Sequence, residues 1–89
     1  MNDTLIIELR LVNNPKPMKT KTGRPMFKGY GFGRMGLMGI LAFNKMTKEL
    51  SSYKKGDLIH VYGSFNVFVY EHNGEEFEEL QIIAEAIQG

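Results

Sequence analysis

The stretch from Ala42 to Phe65 constrains the fold of this chain more than any other. Ala42-Phe43 closes an apolar run, and a polar segment follows in which Met46 and Leu50 stand four residues apart, the spacing of one helix face. The turn Tyr53-Lys54-Lys55-Gly56-Asp57 ends that segment, with Gly56 suited to the left-handed position that closes a helix. From Leu58 the character alternates: Ile59, Val61, Gly63 and Phe65 form one apolar set, and Leu58, His60, Tyr62 and Ser64 the other. The spacing predicts a short helix over 44–53 set between two strands, with Ile59, Val61, Gly63 and Phe65 facing the core.

The flanking sequence supplies more strands. Residues 4–12 alternate, with Leu5, Ile7, Leu9 and Leu11 on one face and Ile6, Glu8 and Arg10 on the other. Asn13-Asn14-Pro15-Lys16-Pro17 stops this strand, because proline removes ladder donors. A basic loop over 16–24 carries Lys16, Lys19, Lys21 and Arg24 around Thr22-Gly23. A second strand is predicted over 26–33. Its glycines at 29, 31 and 33 share one face, as tight bending or close backbone approach requires. Arg34-Met35-Gly36 is a tight connection to a third strand over 37–43. The fourth strand runs from Leu58 to about Glu71, Asn73-Gly74 marks a hairpin, and the fifth strand covers 77–87. The result is an all-β chain with one short helix: a five-stranded OB-fold barrel with the helix between strands 3 and 4, formed by residues 1–89 as a single domain.

Composition limits the functions open to it. A hydrophobic content of 43% over 89 residues suffices for one small core. Without cysteine there is neither a disulfide nor a thiolate metal site. His60 and His72 stand apart with no ligand spacing, so no metal or other cofactor is expected. Glu75, Glu76, Glu78 and Glu79 cluster at the hairpin, where solvated carboxylates are the usual content and nothing separates their pKa values as catalysis requires. Gly29-x-Gly31-x-Gly33 leads into a strand and is not a dinucleotide fingerprint. The chain is therefore expected not to be an enzyme. Met1-Asn2-Asp3-Thr4 lacks the basic start of a secretory signal, and no apolar run approaches the ~20 residues that span a bilayer. A cytoplasmic protein without a membrane partner is the expectation.

Charge points to a partner. Residues 1–48 hold nine Lys/Arg and two Asp/Glu, a balance of +7, whereas residues 49–89 hold two and eight, a balance of −6. The net charge of +1 hides one cationic and one anionic surface. Aromatic residues lie among the cations: Tyr30 and Phe32 between Lys28 and Arg34, and Phe43 before Lys45. Stacking platforms beside Lys/Arg suit single-stranded nucleic acid. Strand parity places Val67 and Val69 inside and Phe68 and Tyr70 outside. On the second strand two arrangements stay open. Either Tyr30 and Phe32 share a solvated face with Lys28, or they enter the core and the glycines meet a neighbouring chain. Two solvated surfaces of opposite sign also explain the charge pattern without a ligand.

Phe43-Asn44-Lys45-Met46-Thr47-Lys48-Glu49 and Tyr53-Lys54-Lys55-Gly56-Asp57, closing on Val61-Tyr62-Gly63, resemble the signature stretches of bacterial and phage single-stranded DNA-binding proteins. Leu5 to Pro15 is similar to that family's opening strand, and Thr20-Lys21-Thr22-Gly23-Arg24-Pro25-Met26 to its following turn. The resemblance implies an OB barrel that binds single-stranded DNA without sequence preference in replication or recombination, with RNA as a second candidate ligand. It implies stacking at Phe43 and Tyr70, and a homodimer or homotetramer built partly through the first strand. Leu37 occupies a further stacking position where the family has an aromatic residue, Leu9 replaces a glycine, and the hairpin between strands 2 and 3 is short. A short member without the family's acidic C-terminal tail is expected. The alternative is an OB-fold accessory or protein-interaction module resembling primosomal replication protein N. The candidate nucleic-acid contacts are Lys16, Lys19, Lys21, Arg24, Lys28, Tyr30, Phe32, Arg34, Phe43, Phe68 and Tyr70.

Overall fold

The computed structural model describes residues 4–89, so the reading of Met1-Asn2-Asp3 lies outside the described residues. In chain order the elements are β1 (Thr4–Leu11), β2 (Lys16–Lys19), β3 (Pro25–Gly33), β4 (Gly36–Phe43), α1 (Lys45–Ser51), β5 (Leu58–His72) and β6 (Glu75–Gln88). The sheet order is β1-β5-β6-β4-β3-β2, and a further β1–β3 pairing closes five of these strands on themselves. All pairings are antiparallel except β4–β6. This is the expected closed OB architecture, with the helix between its third and fourth strands.

Alternation sorts the closed sheet into two surfaces. Ile7, Leu9 and Leu11 of β1, Met38, Ile40 and Ala42 of β4, Ile59 and Val61 of β5, and Ile82 and Ala84 of β6 are buried together. Leu50 of α1 is fully buried against them, and Met46 packs at the edge of the same cluster, so the helix covers one end of the barrel. Closure depends on glycine. A Cβ at Gly31 would stand 2.8 Å from Leu9 Cβ, and one at Gly33 would collide with the Glu8 carbonyl oxygen. The glycine face of β3 therefore admits β1 of the same chain, and Tyr30 and Phe32 point outward. On β6 an extra residue, Glu85, separates Ala84 (opposite Gly63) from Ala86 (opposite Tyr62). This bulge re-phases the strand so that Ile87 reaches the core.

Several expectations are corrected. The basic loop contains a sixth strand, since Lys16–Lys19 pair with Pro25–Lys28. Pro17 is accommodated because β2 is an edge strand. The helix is Lys45–Ser51, shorter than 44–53, because Asn44 has φ 54° and cannot join it. The strand expected to end at about Glu71 runs to His72, and the turn is Asn73-Gly74 with both φ positive. Val67 and Val69 do not face the core: both are about half exposed. The β5–β6 hairpin runs past the end of the barrel, so beyond Phe65 its strands have no opposing layer. Leu5 is exposed for the same kind of reason, at the far end of β1.

Candidate nucleic-acid interface

The outer surface of β3 and β4 is built of cross-strand pairs: Met26 with Phe43, Lys28 with Leu41, Tyr30 with Gly39, and Phe32 with Leu37. The row from Phe43 to Leu37 spans about 20 Å at ~3.3 Å per strand residue. Gly39 also lies beside Gln81, and through β6 the surface continues to β5, where Gln81 faces Asn66, Glu79 faces Phe68 and Phe77 faces Tyr70. One outer face thus runs from β3 to the tip of the β5–β6 hairpin.

Three aromatic rings stand at the hairpin end of this face. Tyr70 lies between Phe68 and Phe77, with ring centroids 5.7 and 5.6 Å away and interplanar angles of 20° and 24°. All three remain exposed by about two-fifths. A shallow groove of about 200 Å³ separates this stack from β3 and is lined by Tyr30, Leu37, Gly39, Tyr70, Glu79 and Leu80. Phe32 and Leu37, level with Glu79 and Phe68 in the register, are the most exposed cross-strand pair of β3 and β4.

The centre of the face holds an ion pair. Lys28 Nζ donates to Glu79 Oε2 at 2.8 Å and lies 4.9 Å from the centre of the Tyr30 ring. Tyr30 Oη donates to Glu79 Oε1 at 3.0 Å, and Gln81 Nε2 donates to Oε2 at 2.6 Å. Burial pushes the Glu79 carboxyl up, but the bonds from Lys28, Gln81 and Tyr30 outweigh it and hold the group below the ordinary carboxylate range. Burial pulls Lys28 down, and its contacts with Glu79 and Tyr30 more than reverse that. Glu79 is therefore not one of the solvated hairpin carboxylates expected from the sequence. Glu75, Glu76 and Glu78 are exposed as expected.

The other candidate cations lie on β2, on the β2–β3 connection and in the β3–β4 turn. Lys16, Lys19, Lys21, Arg24 and Arg34 are exposed, and the Arg24 guanidinium lies 4.4 Å over the Phe43 ring. The hairpin that carries the first four is braced at its turn: Arg24 N–H donates to Thr20 Oγ1 at 3.1 Å and Thr20 N–H to the Arg24 carbonyl at 2.9 Å. Its base is fixed by Asn13, whose Oδ1 accepts from the Tyr30 N–H at 2.9 Å, and by Asn14, whose Oδ1 accepts from the Lys55 N–H at 2.8 Å. Among the described residues no cluster of His, Asp or Glu is arranged to hold a metal ion. Among the described residues no helix is long and apolar enough to cross a membrane.

No family model matches the chain, and no curated protein matches it. Solved structures do. A small single-stranded DNA-binding protein from Streptomyces coelicolor superposes with a TM-score of 0.77 at 16% identity, over 98% of this chain and 93% of that one. The SSB domain of a Synechococcus protein gives 0.76 at 12% identity, over 100% and 96%. The fold is that of the single-stranded DNA-binding proteins. A Thermus aquaticus member gives 0.75 at 16% identity over 99% of this chain, which spans 39% of that longer protein.

On this fold, Lys28, Tyr30, Phe32, Phe43, Phe68 and Tyr70 come to one outer face; Lys16 shares that side of β2 and Arg24 lies over Phe43, whereas Lys19 is on the other side of β2 by register, and Lys21 and Arg34 lie in the turns that follow β2 and β3. Sequence reasoning missed Phe77, which the Asn-Gly turn sets directly opposite Tyr70. Counting pairs back from that turn would have found it. It also missed Glu79 and Gln81 as members of the face.

Proposed function

We propose that this protein binds single-stranded DNA without sequence preference and without catalysing a reaction on it. The strand lies along the outer face of β3 and β4 and over the β5–β6 hairpin. Bases stack on Tyr30, Phe32 and Phe43 and on the Phe68–Tyr70–Phe77 group, while Lys16, Lys19, Lys21, Arg24 and Arg34 take the phosphates. The observation that carries this reading is the exposed three-ring stack continuous with a β3–β4 face, the surface OB folds use for oligonucleotides. Aromatic rings this exposed contribute little to the core, and they meet the need of an unpaired base for a flat partner. The cellular setting fitting such activity is replication or recombination of phage, plasmid or bacterial DNA.

The test is fluorescence anisotropy with labelled oligo-dT, oligo-rU and a duplex across a salt series. Three to five phosphate contacts give a log–log slope of about −2 to −3.5, from ~0.7 per phosphate on single strands. Oligo-dT should bind and duplex should not compete. A flat salt dependence, or a preference for duplex, contradicts the reading.

Assembly as a homodimer is part of the proposal. β1 pairs with β5 over Thr4–Arg10 but with β3 only over Leu9–Leu11, so the other edge of residues 4–8 has no strand beside it among the described residues. Ile6, outward on this segment, is 69% exposed. Two such edges meeting antiparallel give an isologous contact and a longer binding track. A second reading, a protein-interaction module, is favoured by the opposite hairpin face, where exposed Val67 and Val69 stand beside Glu71, Glu76 and Glu78. Absence of oligo-dT binding at low salt would favour it.

A further inference from the structure

Lys28 is the cation nearest the middle of the outer face, yet its charge is already met. Its ammonium donates to Glu79 at 2.8 Å, and its side chain is 15% exposed against 19% for Glu79. The two residues are 51 apart in sequence and stand on β3 and β6, on opposite sides of β4. Two strand spacings separate their backbones, about 9–10 Å, and the side chains must cross β4 to meet. Gly39 gives them the space: a Cβ there would stand 3.1 Å from Glu79 Oε2, 3.4 Å from Lys28 Cε and 3.5 Å from Gln81 Cγ. The carboxylate is further fixed by Gln81 Nε2 at 2.6 Å and Tyr30 Oη at 3.0 Å. A carboxylate held this way offers a lysine what a phosphodiester offers: a single negative charge on hydrogen-bonding oxygens.

We propose that Glu79 is an internal stand-in for a phosphate, which neutralises Lys28 and withholds it from the backbone of a bound strand. This rests on the single-strand-binding reading and refines it. The centre of the face becomes a neutral platform for bases, and the phosphates are met by the other candidate cations. Glu79 thereby sets affinity below what the cations of the chain would otherwise give. It also fixes the Tyr30 ring through the hydroxyl, so removal of its charge must be separated from removal of its hydrogen bonds.

Glu79→Gln does so for Tyr30: the amide oxygen still accepts from Oη while the charge is gone, and the amide nitrogen, a donor, ends the bonds that Oε2 accepts from Lys28 and Gln81. Lys28 then becomes a phosphate contact. The oligo-dT salt slope should steepen by about 0.7, which is roughly an eightfold gain in affinity at 50 mM salt if the two proteins converge at 1 M. Glu49→Gln makes the same change of net charge on exposed α1, away from the face, and should leave the slope at its original value. The double variant Lys28→Met/Glu79→Gln should return to the wild-type slope. A steeper slope persisting in the double variant would overturn the proposal, because the gain would then not come from Lys28. So would binding by Glu79→Gln with an unchanged slope, which would make Glu79 a support for Tyr30 alone. If Glu79→Gln does not fold, Lys28→Met decides: a withheld lysine removes no contact, whereas a slope shallower by about 0.7 shows that Lys28 already touches phosphate. Failure of both wild type and Glu79→Gln to bind oligo-dT at low salt would overturn the single-strand reading itself and this inference with it.

Discussion

Replacing Tyr70 by alanine separates binding from folding. The ring is the middle member of the Phe68–Tyr70–Phe77 stack, and it sits on the part of β5 that extends beyond the barrel. Loss of one stacking platform costs about 1–3 kcal/mol of binding, a rise in Kd of about 5- to 140-fold at ~1.4 kcal/mol per decade. The upper end applies if Phe68 and Phe77 splay once the ring between them is gone. The folding cost is smaller. Two aromatic pairs at ~0.5–1.5 kcal/mol each would be lost, and with the rings two-fifths exposed the low end, about 1 kcal/mol in all, is expected. That lowers the thermal midpoint of a chain this size by about 4–8 °C. Ile59→Ala has the opposite profile. Ile59 is fully buried in the core, so about 2–5 kcal/mol of stability is lost while affinity of the folded fraction is retained. Tyr70→Phe keeps the stack, and the Tyr70 hydroxyl makes no hydrogen bond among the described residues, so its affinity should stay near wild type. Oligo-dT anisotropy and thermal melts on the same samples give both numbers. If Tyr70→Ala loses as much stability as Ile59→Ala, and its binding loss merely tracks unfolding, the ring is structural and the stacking argument is wrong.

Further outcomes follow from the same geometry. A Cβ at Gly63 would fall on the carbonyl oxygen of Ile83, so Gly63→Ala should cost about 1–3 kcal/mol in a urea melt, as overpacking does; an unchanged midpoint would contradict the close β5–β6 approach. The Lys28–Glu79 pair makes stability depend on pH in two directions. The lowered Glu79 pKa contributes stability that is full above the unfolded carboxylate value and lost as pH falls through the folded one. The raised Lys28 pKa contributes stability that is full below the unfolded lysine value and lost as pH rises through the folded one. Glu79→Gln should flatten the acid limb of a stability–pH curve, and an unaltered limb would show that the pair does not contribute. Sedimentation equilibrium should find a homodimer, weakened by Glu8→Lys on the outward face of β1, where Glu8 now meets His60 Nε2 at 3.1 Å; a 10.1 kDa species at every concentration would exclude it.

The sequence made the fold legible wherever one strand face is buried, because the period of two then leaves a clear mark. Ile7, Leu9 and Leu11, and Ile59 and Val61, fell where alternation put them. The same rule failed at Val67 and Val69, since alternation continues along the hairpin after the barrel that gives it meaning has ended. β2 was illegible because Lys-Pro-Met-Lys has no buried face and contains a proline that only an edge strand accepts. The outward direction of Tyr30 and Phe32 depended on what the glycines of β3 approach: Gly31 and Gly33 meet Leu9 and Glu8 of β1, and Gly29 meets Pro15, all distant in sequence. Glu79 was hidden for a related reason. It is one of four glutamates within five residues, and its partner lies 51 positions upstream across two strand spacings.

The measurement that bears most directly on the proposed interface is an amide chemical-shift titration of the isotope-labelled protein with oligo-dT at low salt. The account predicts progressive shifts at Tyr30, Phe32, Leu37, Gly39, Phe68, Tyr70, Phe77 and Glu79, with the amides of α1 and the buried β1 residues Leu9 and Leu11 left in place. Shifts confined to β1, α1 or the Val67–Val69 face of the hairpin, or no shifts at saturating oligo-dT, would contradict it.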